Sequence, residues 1–131
     1  METTQTNNWG KIVDNVDASF NPVGVDGMEF IEYSTPDSES LEKLFMSLGF
    51  TKVANHKRKD VVMYRQRGVN FIINREAGSF ANSFKEAHGP SICATGFRVK
   101  NAEEALKVAV ERGAKPCEDK GHTFPCIYGI G

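Results

Sequence analysis

Two glycines that close apolar helical runs, Gly49 and Gly113, stand 113 − 49 = 64 positions apart. Sliding the chain along itself by that offset lays Glu39 on Glu103 and Lys43 on Lys107. It also lays Leu41, Leu44 and Phe45 on Ala105, Val108 and Ala109, while Arg112 replaces Leu48. An imperfect internal repeat of this period is a supersecondary unit whose apolar face needs a neighbour to cover it. In 131 residues it predicts one compact domain, or two small modules sharing one core.

The unit itself reads β-α-β-β-β. "MEFIEYS" (Met28 to Ser34) alternates acids with bulky residues, as a strand does. Thr35 and Pro36 are the expected N-cap and first-turn residues of a helix. Leu41, Leu44, Phe45 and Leu48 then give it one apolar face, and Gly49 ends it. "FTKVANH", "VVMYRQR" and "VNFIINR" follow as strands, joined by hairpins around Lys59-Asp60 and Arg67-Gly68. A linking helix is expected over Phe80 to His88, capped by Ser79, buried along Phe80, Phe84 and Ala87, and stopped by Gly89-Pro90. The pattern then restarts: "ICATGFRV" is a strand, and Asn101 with Glu104 is a capping-box pair. Ala102 to Arg112 is a helix, and "AKPC" opens another strand. The expected division is a polar leader and turn-rich lead-in over 1–27, a first module over 28–78, a linking helix and turn over 79–90, and a second module over 91–131. The second module is expected to stop before its last strand, since the chain ends at "CIYGIG".

Charge and composition remove several function classes. A net charge of -1 gives no electrostatic case for nucleic acid or an anionic membrane. No apolar run approaches the roughly 20 residues that span a bilayer. "METTQTNNWGKIVDNVD" is too polar for a signal or transit peptide. Cys93, Cys117 and Cys126 form an odd set without a CxxC pair, which predicts free thiols in a reducing compartment and a cytoplasmic protein.

The chemically capable side chains have plain structural readings. His88 falls in the last turn of a helix, where an imidazole meets free carbonyls and the negative end of the dipole. Cys93 lies on an expected buried strand, as an inert small hydrophobe. His56, Lys57, Arg58 and Lys59 form a solvated hairpin turn without the aromatic platform that a nucleic-acid site uses. Cys117, His122 and Cys126 match no zinc spacing and have no fourth ligand nearby. Glu29 and Glu32 are separated by an odd number of strand residues, so they point to opposite faces and cannot act as an acid/base pair. Glu32 shares a face with Phe30, which gives a weak functional hint that it looks into a cavity.

Paired β-α-β-β-β units resemble the vicinal oxygen chelate superfamily, and the motifs narrow that likeness. "NPVGVDGMEFIEYSTPD", "LGFTKVANHKRKDVVMYRQRGVNFIINRE", "FKEAHGPSICATGFRVKNAEEAL" and "YGIG" are similar to the N-terminal half of bacterial 4-hydroxyphenylpyruvate dioxygenases. The resemblance implies an α+β fold, a curved mixed sheet around a cavity with helices outside. It implies a family enzyme that converts 4-hydroxyphenylpyruvate to homogentisate in tyrosine catabolism. That enzyme uses Fe(II), held by two histidines and a glutamate of a C-terminal catalytic domain. In metal-binding relatives, ligands project from the first strand of each unit; by alignment those positions are Phe30 and Ala94 here, and neither can ligate. The implied reading is an iron-free, structural module with no catalytic, cofactor or metal residues of its own. Its expected partners are that C-terminal domain and further copies of the chain, with no nucleic acid and no membrane. Two other readings remain: a stand-alone small-molecule-binding protein of the bleomycin-resistance kind, and a metalloenzyme in its own right.

Overall fold

The computed structural model describes residues 19–118 and 125–129. Its elements are β1 (Val25–Ser34), α1 (Ser38–Ser47), β2 (Thr51–Asn55), β3 (Val61–Gln66), β4 (Val69–Asn74), α2 (Phe80–His88), β5 (Ser91–Val99) and α3 (Ala102–Glu111). The strands form one mixed sheet in the order β2-β3-β4-β1-β5. Only β1 and β4 run parallel; β1–β5, β2–β3 and β3–β4 are antiparallel. This is the expected α+β architecture, and the β-α-β-β-β order of the first unit is reproduced element by element. The anticipated strand at "AKPC" is a single bridge, Pro116 with Ile127. The "NPVGVDG" lead-in already becomes strand at Val25.

The offset found in the sequence is also the geometry of the chain. Helices α1 and α3 begin 102 − 38 = 64 and end 111 − 47 = 64 residues apart. Their caps, Asp37 and Asn101, each accept a bond from the backbone N–H three residues on. Their closing bonds also match: Phe50 N donates to Phe45 O at 3.0 Å, and Ala114 N to Ala109 O at 2.9 Å. Both bonds wrap around a left-handed glycine, Gly49 (φ 94°) or Gly113 (φ 103°), a conformation that costs other residues more. Strands β1 and β5 pair with Ile31 opposite Thr95, and 95 − 31 = 64. The local twofold relating the units therefore passes through that pair.

The core lies between α1 and one face of the sheet. Phe45, Val62, Tyr64 and Ile73 are its buried members, with Tyr33, Leu41, Phe50 and Phe71 packed against them. Phe45 is the hub: its ring centroid lies 5.2 Å from Tyr33, 5.7 Å from Tyr64 and 4.9 Å from Phe71. Such contacts add to burial through the ring quadrupoles. Arg75 ties the rim by bonding Glu42 of α1 and Asp60 of the β2–β3 turn, both at 2.9 Å.

Three local expectations need correction. The N-cap of α1 is Asp37 rather than Thr35; its carboxylate accepts both the amide and the hydroxyl of Ser40, and Thr35 only supports Asp37 from outside the helix. The apolar face of α1 is narrower than its spacing suggested, because Leu44 and Leu48 are 51% and 56% exposed. Leu48 is the C-cap, and Leu44 lies about 100° around the axis from Phe45. On α2 the buried residue is Ala81, not the Phe80–Phe84–Ala87 stripe. Ser34 donates to the Ala81 carbonyl at 2.9 Å, which ties α2 to β1 beside Ala81, 2% exposed. Phe80 and Phe84 instead meet at a tilt along the flank of α2, their ring centroids 5.8 Å apart.

Candidate functional site

Strand alternation divides the sheet into a core face and an open face. Opposite the core lie Phe30 and Glu32 of β1, Asn70, Ile72 and Asn74 of β4, Met63 and Arg65 of β3, and Ala94 and Gly96 of β5. The register fixes their neighbours: Glu32 stands between Ile72 and Ala94, Phe30 faces Gly96, Met63 faces Ile72, and Arg65 faces Asn70. The relation that superimposes the units carries Phe30 onto Ala94 across the Ile31–Thr95 axis.

The polar groups on this face are already committed. Asn74 Nδ2 donates to Glu32 Oε1 at 3.1 Å, and the Cys93 thiol points at Glu32 Oε2 at 3.5 Å. Burial pushes the Cys93 thiol up to about 12, and the Glu32 carboxylate beside it acts in the same direction. The thiolate needed for nucleophilic or ligand chemistry is therefore suppressed. Further along, Arg65 Nε donates to Asn70 Oδ1 at 2.7 Å, and Asn70 Nδ2 to the Glu29 carbonyl at 2.9 Å. That side-chain bond bridges β1 and β4 where their ladder has not yet begun. The Phe30 ring lies over Gly96, where any Cβ would overlap it.

The donor set does not fit a metal. The two positions related by the twofold are a phenyl ring and a methyl group. Among the described residues no three His, Cys, Asp or Glu side chains group together. Two clefts among the described residues are small: one of about 260 Å³ is bounded by Tyr33, Leu41 and Ile92, and one of about 130 Å³ by Met28, Phe30 and Asn70. Both fall below the roughly 300–1,000 Å³ of ordinary ligand pockets.

The remaining candidates are scattered. His56 Nδ1 accepts the amides of Arg58 and Lys59, so it organises the β2–β3 turn. His88 ends α2 with its ring 4.3 Å from Phe84. Glu29 pairs with Arg98 at 2.8 Å, away from Glu32. Cys117 and Cys126 are joined in a disulfide, with Cα atoms 5.3 Å apart, which corrects the expectation of three free thiols. The Pro116–Ile127 bridge places them side by side, a proximity invisible in their spacing. His122 lies outside the described residues. Sequence reasoning missed the Arg65–Asn70 and Asn74–Glu32 bonds. The alternation of "VVMYRQR" and "VNFIINR" signals that these residues share the non-core side, but only the register joins them.

No helix among the described residues is long and apolar enough to cross a membrane. Comparison with known proteins places the geometry. A 4-hydroxyphenylpyruvate dioxygenase of Pseudomonas sp. (strain P.J. 874) is 47% identical over 115 residues, covering 85% of this chain and 32% of that protein. Protein MelA of Shewanella colwelliana is 46% identical over 113 residues, covering 85% of this chain and 33% of its own. The chain thus spans about a third of the length of these relatives. A solved xylose isomerase-like TIM barrel/4-hydroxyphenylpyruvate dioxygenase fusion protein superimposes with a TM-score of 0.71 at 34% identity, over 79% of this chain and 18% of that one. The likeness expected from the paired units and their motifs is therefore found in sequence and in structure. With residues 20–131 matching the family described as hydroxyphenylpyruvate dioxygenase, HPPD, N-terminal, the chain belongs to that family.

Proposed function

We propose that this chain serves as the iron-free N-terminal module of a 4-hydroxyphenylpyruvate dioxygenase, supporting the enzyme rather than performing its chemistry. The observation that carries this reading is the pair of positions related by the twofold. Phe30 closes over Gly96, and Ala94 offers only a methyl group, where metal-binding relatives present ligands. On this reading the Fe(II) that activates dioxygen sits in a C-terminal catalytic domain, and the substrate of the whole enzyme is 4-hydroxyphenylpyruvate. This chain's own residues then act by packing: Phe30, Met63 and Ile72 line the open face, while Glu32, Asn74 and Cys93 satisfy one another. The unit boundaries that accompany this proposal are 28–78 and 91–131, joined by 79–90. The proposed compartment is the cytoplasm. Self-association is proposed as well, because β5 pairs on one side only among the described residues, and an open strand edge is a template for pairing.

Oxygen uptake by the chain with 4-hydroxyphenylpyruvate and added Fe(II), followed by iron analysis after desalting, tests the reading. No uptake and no retained iron is the expected result. Iron-dependent uptake with homogentisate formed would overturn it. Light scattering across a concentration series tests association, which requires a mass that rises with concentration.

A further inference from the structure

The offset relating α1 to α3 continues past both helices. It carries Cys117 onto Val53 (117 − 64 = 53) and Cys126 onto Val62 (126 − 64 = 62). In the first unit these positions belong to β2 and β3, which share four register pairs. Val62 is 1% exposed in the core. The equivalent segments of the second unit make the single bridge Pro116–Ile127 among the described residues. It is held by Cys117 N to Cys126 O and Tyr128 N to Lys115 O, both 2.9 Å. Val53 is 47% exposed, so in the first unit only the Val62 position is fixed by apolar packing, whereas in the second unit the two matched positions are joined by a sulfur–sulfur bond.

We propose that Cys117 and Cys126 form a reversible thiol–disulfide exchange site for low-molecular-weight thiols and disulfides of the glutathione class, coupling the Pro116–Ile127 bridge to redox state. Two features favour reversibility. The cysteines are only 9 positions apart, and a short closed loop gains least from a crosslink. Both are half-buried rather than sealed, so an attacking thiolate can reach them. In the closing direction, one cysteine thiolate attacks the small disulfide, forming a mixed disulfide and expelling one small thiol. The second cysteine thiolate then displaces the other. Two protein thiols and one small disulfide become one protein disulfide and two small thiols. The two protons end on the released thiols, the protein is oxidised by two electrons and the small disulfide is reduced by two. Cys93 stays outside the exchange, since its thiol is directed at Glu32.

The test equilibrates the chain in glutathione buffers of varied thiol-to-disulfide ratio, quenches by alkylation and locates the adducts by mass spectrometry. Amide exchange at Cys117 and Tyr128 is followed in each state. Cys117 and Cys126 should gain two adducts together as the ratio rises. Protection of the two bridge amides should fall by about tenfold or more, with the β2–β3 amides unchanged. A Cys117→Ser/Cys126→Ser chain should show the reduced-state exchange at every ratio. A pair that never closes in the disulfide, or never opens in excess thiol, overturns the proposal. So does equal bridge protection in the two states.

Discussion

The two units carry the same helix over unlike supports. Helices α1 and α3 agree in length, in a capping side chain that accepts from the N–H three residues on, and in the glycine wrap at the end. Beneath α1 the hub is Phe45, packed among Tyr33, Phe50, Tyr64 and Phe71. The equivalent residue of α3 is Ala109, and the buried residue of that helix is Ala105, 7% exposed. Backbone form is thus set locally, by caps and glycines that act within one turn. The core depends on large side chains arriving from strands far apart in sequence, and the repeat preserves the first more strictly than the second.

Mutation breaks that comparison most sharply at its hub. Phe45→Ala should cost about 3–5 kcal/mol in urea unfolding, since it removes a ring from a closed aromatic cluster. The matched change Ala109→Gly should cost only about 1 kcal/mol, chiefly through helix propensity. Equal costs would mean that the second unit has a core as consequential as the first.

Cys93 sharpens the contrast at the junction of the units. With its thiol raised to about 12, alkylation at pH 8 should run on the order of a thousandfold slower than for an ordinary exposed thiol. The sign follows from a raised folded-state value. Holding the thiol protonated stabilises the fold fully below the unfolded value near 9, and this contribution is lost as pH rises toward 12. Glu32→Gln should speed alkylation only in part, because burial is the larger cause. Fast alkylation of native Cys93 at pH 8 would contradict the packing of β5 on β1.

The smallest difference is expected at the helix ends. Gly49→Ala and Gly113→Ala should each cost about 1 kcal/mol, because both positions require a left-handed backbone. Gly49 should cost slightly more, since an added Cβ would stand 2.5 Å from Gln66 Nε2, whereas Gly113 has nothing within 4 Å. A larger loss at Gly113 would reverse the ranking of the two supports.

Much of this was legible before any coordinates. The repeat was visible in its glycines and charges, and the eight elements in period-2 and period-3.6 patterning. Thr35 before Pro36 offers the same local capping chemistry as Asp37, and only the helix's start position decides which oxygen accepts the bond. Phe80, Phe84 and Ala87 have helical spacing, but the docking of α2 on β1 through Ser34 and the Ala81 carbonyl buries Ala81 instead. The disulfide was missed because cysteine spacing carries no information about strand pairing.

Residue spacing alone is enough to find the three helices and five sheet strands among the described residues, the offset between the units and the lack of ligating side chains at positions 30 and 94. Those are properties of single residues and of spacings within a few turns. It takes the folded chain to show that Ile31 meets Thr95, that Glu32 is shared between Asn74 and Cys93, and that Cys117 lies beside Cys126. These pairings depend on strand register and sheet order, which arise from long-range packing and leave no local periodicity to read.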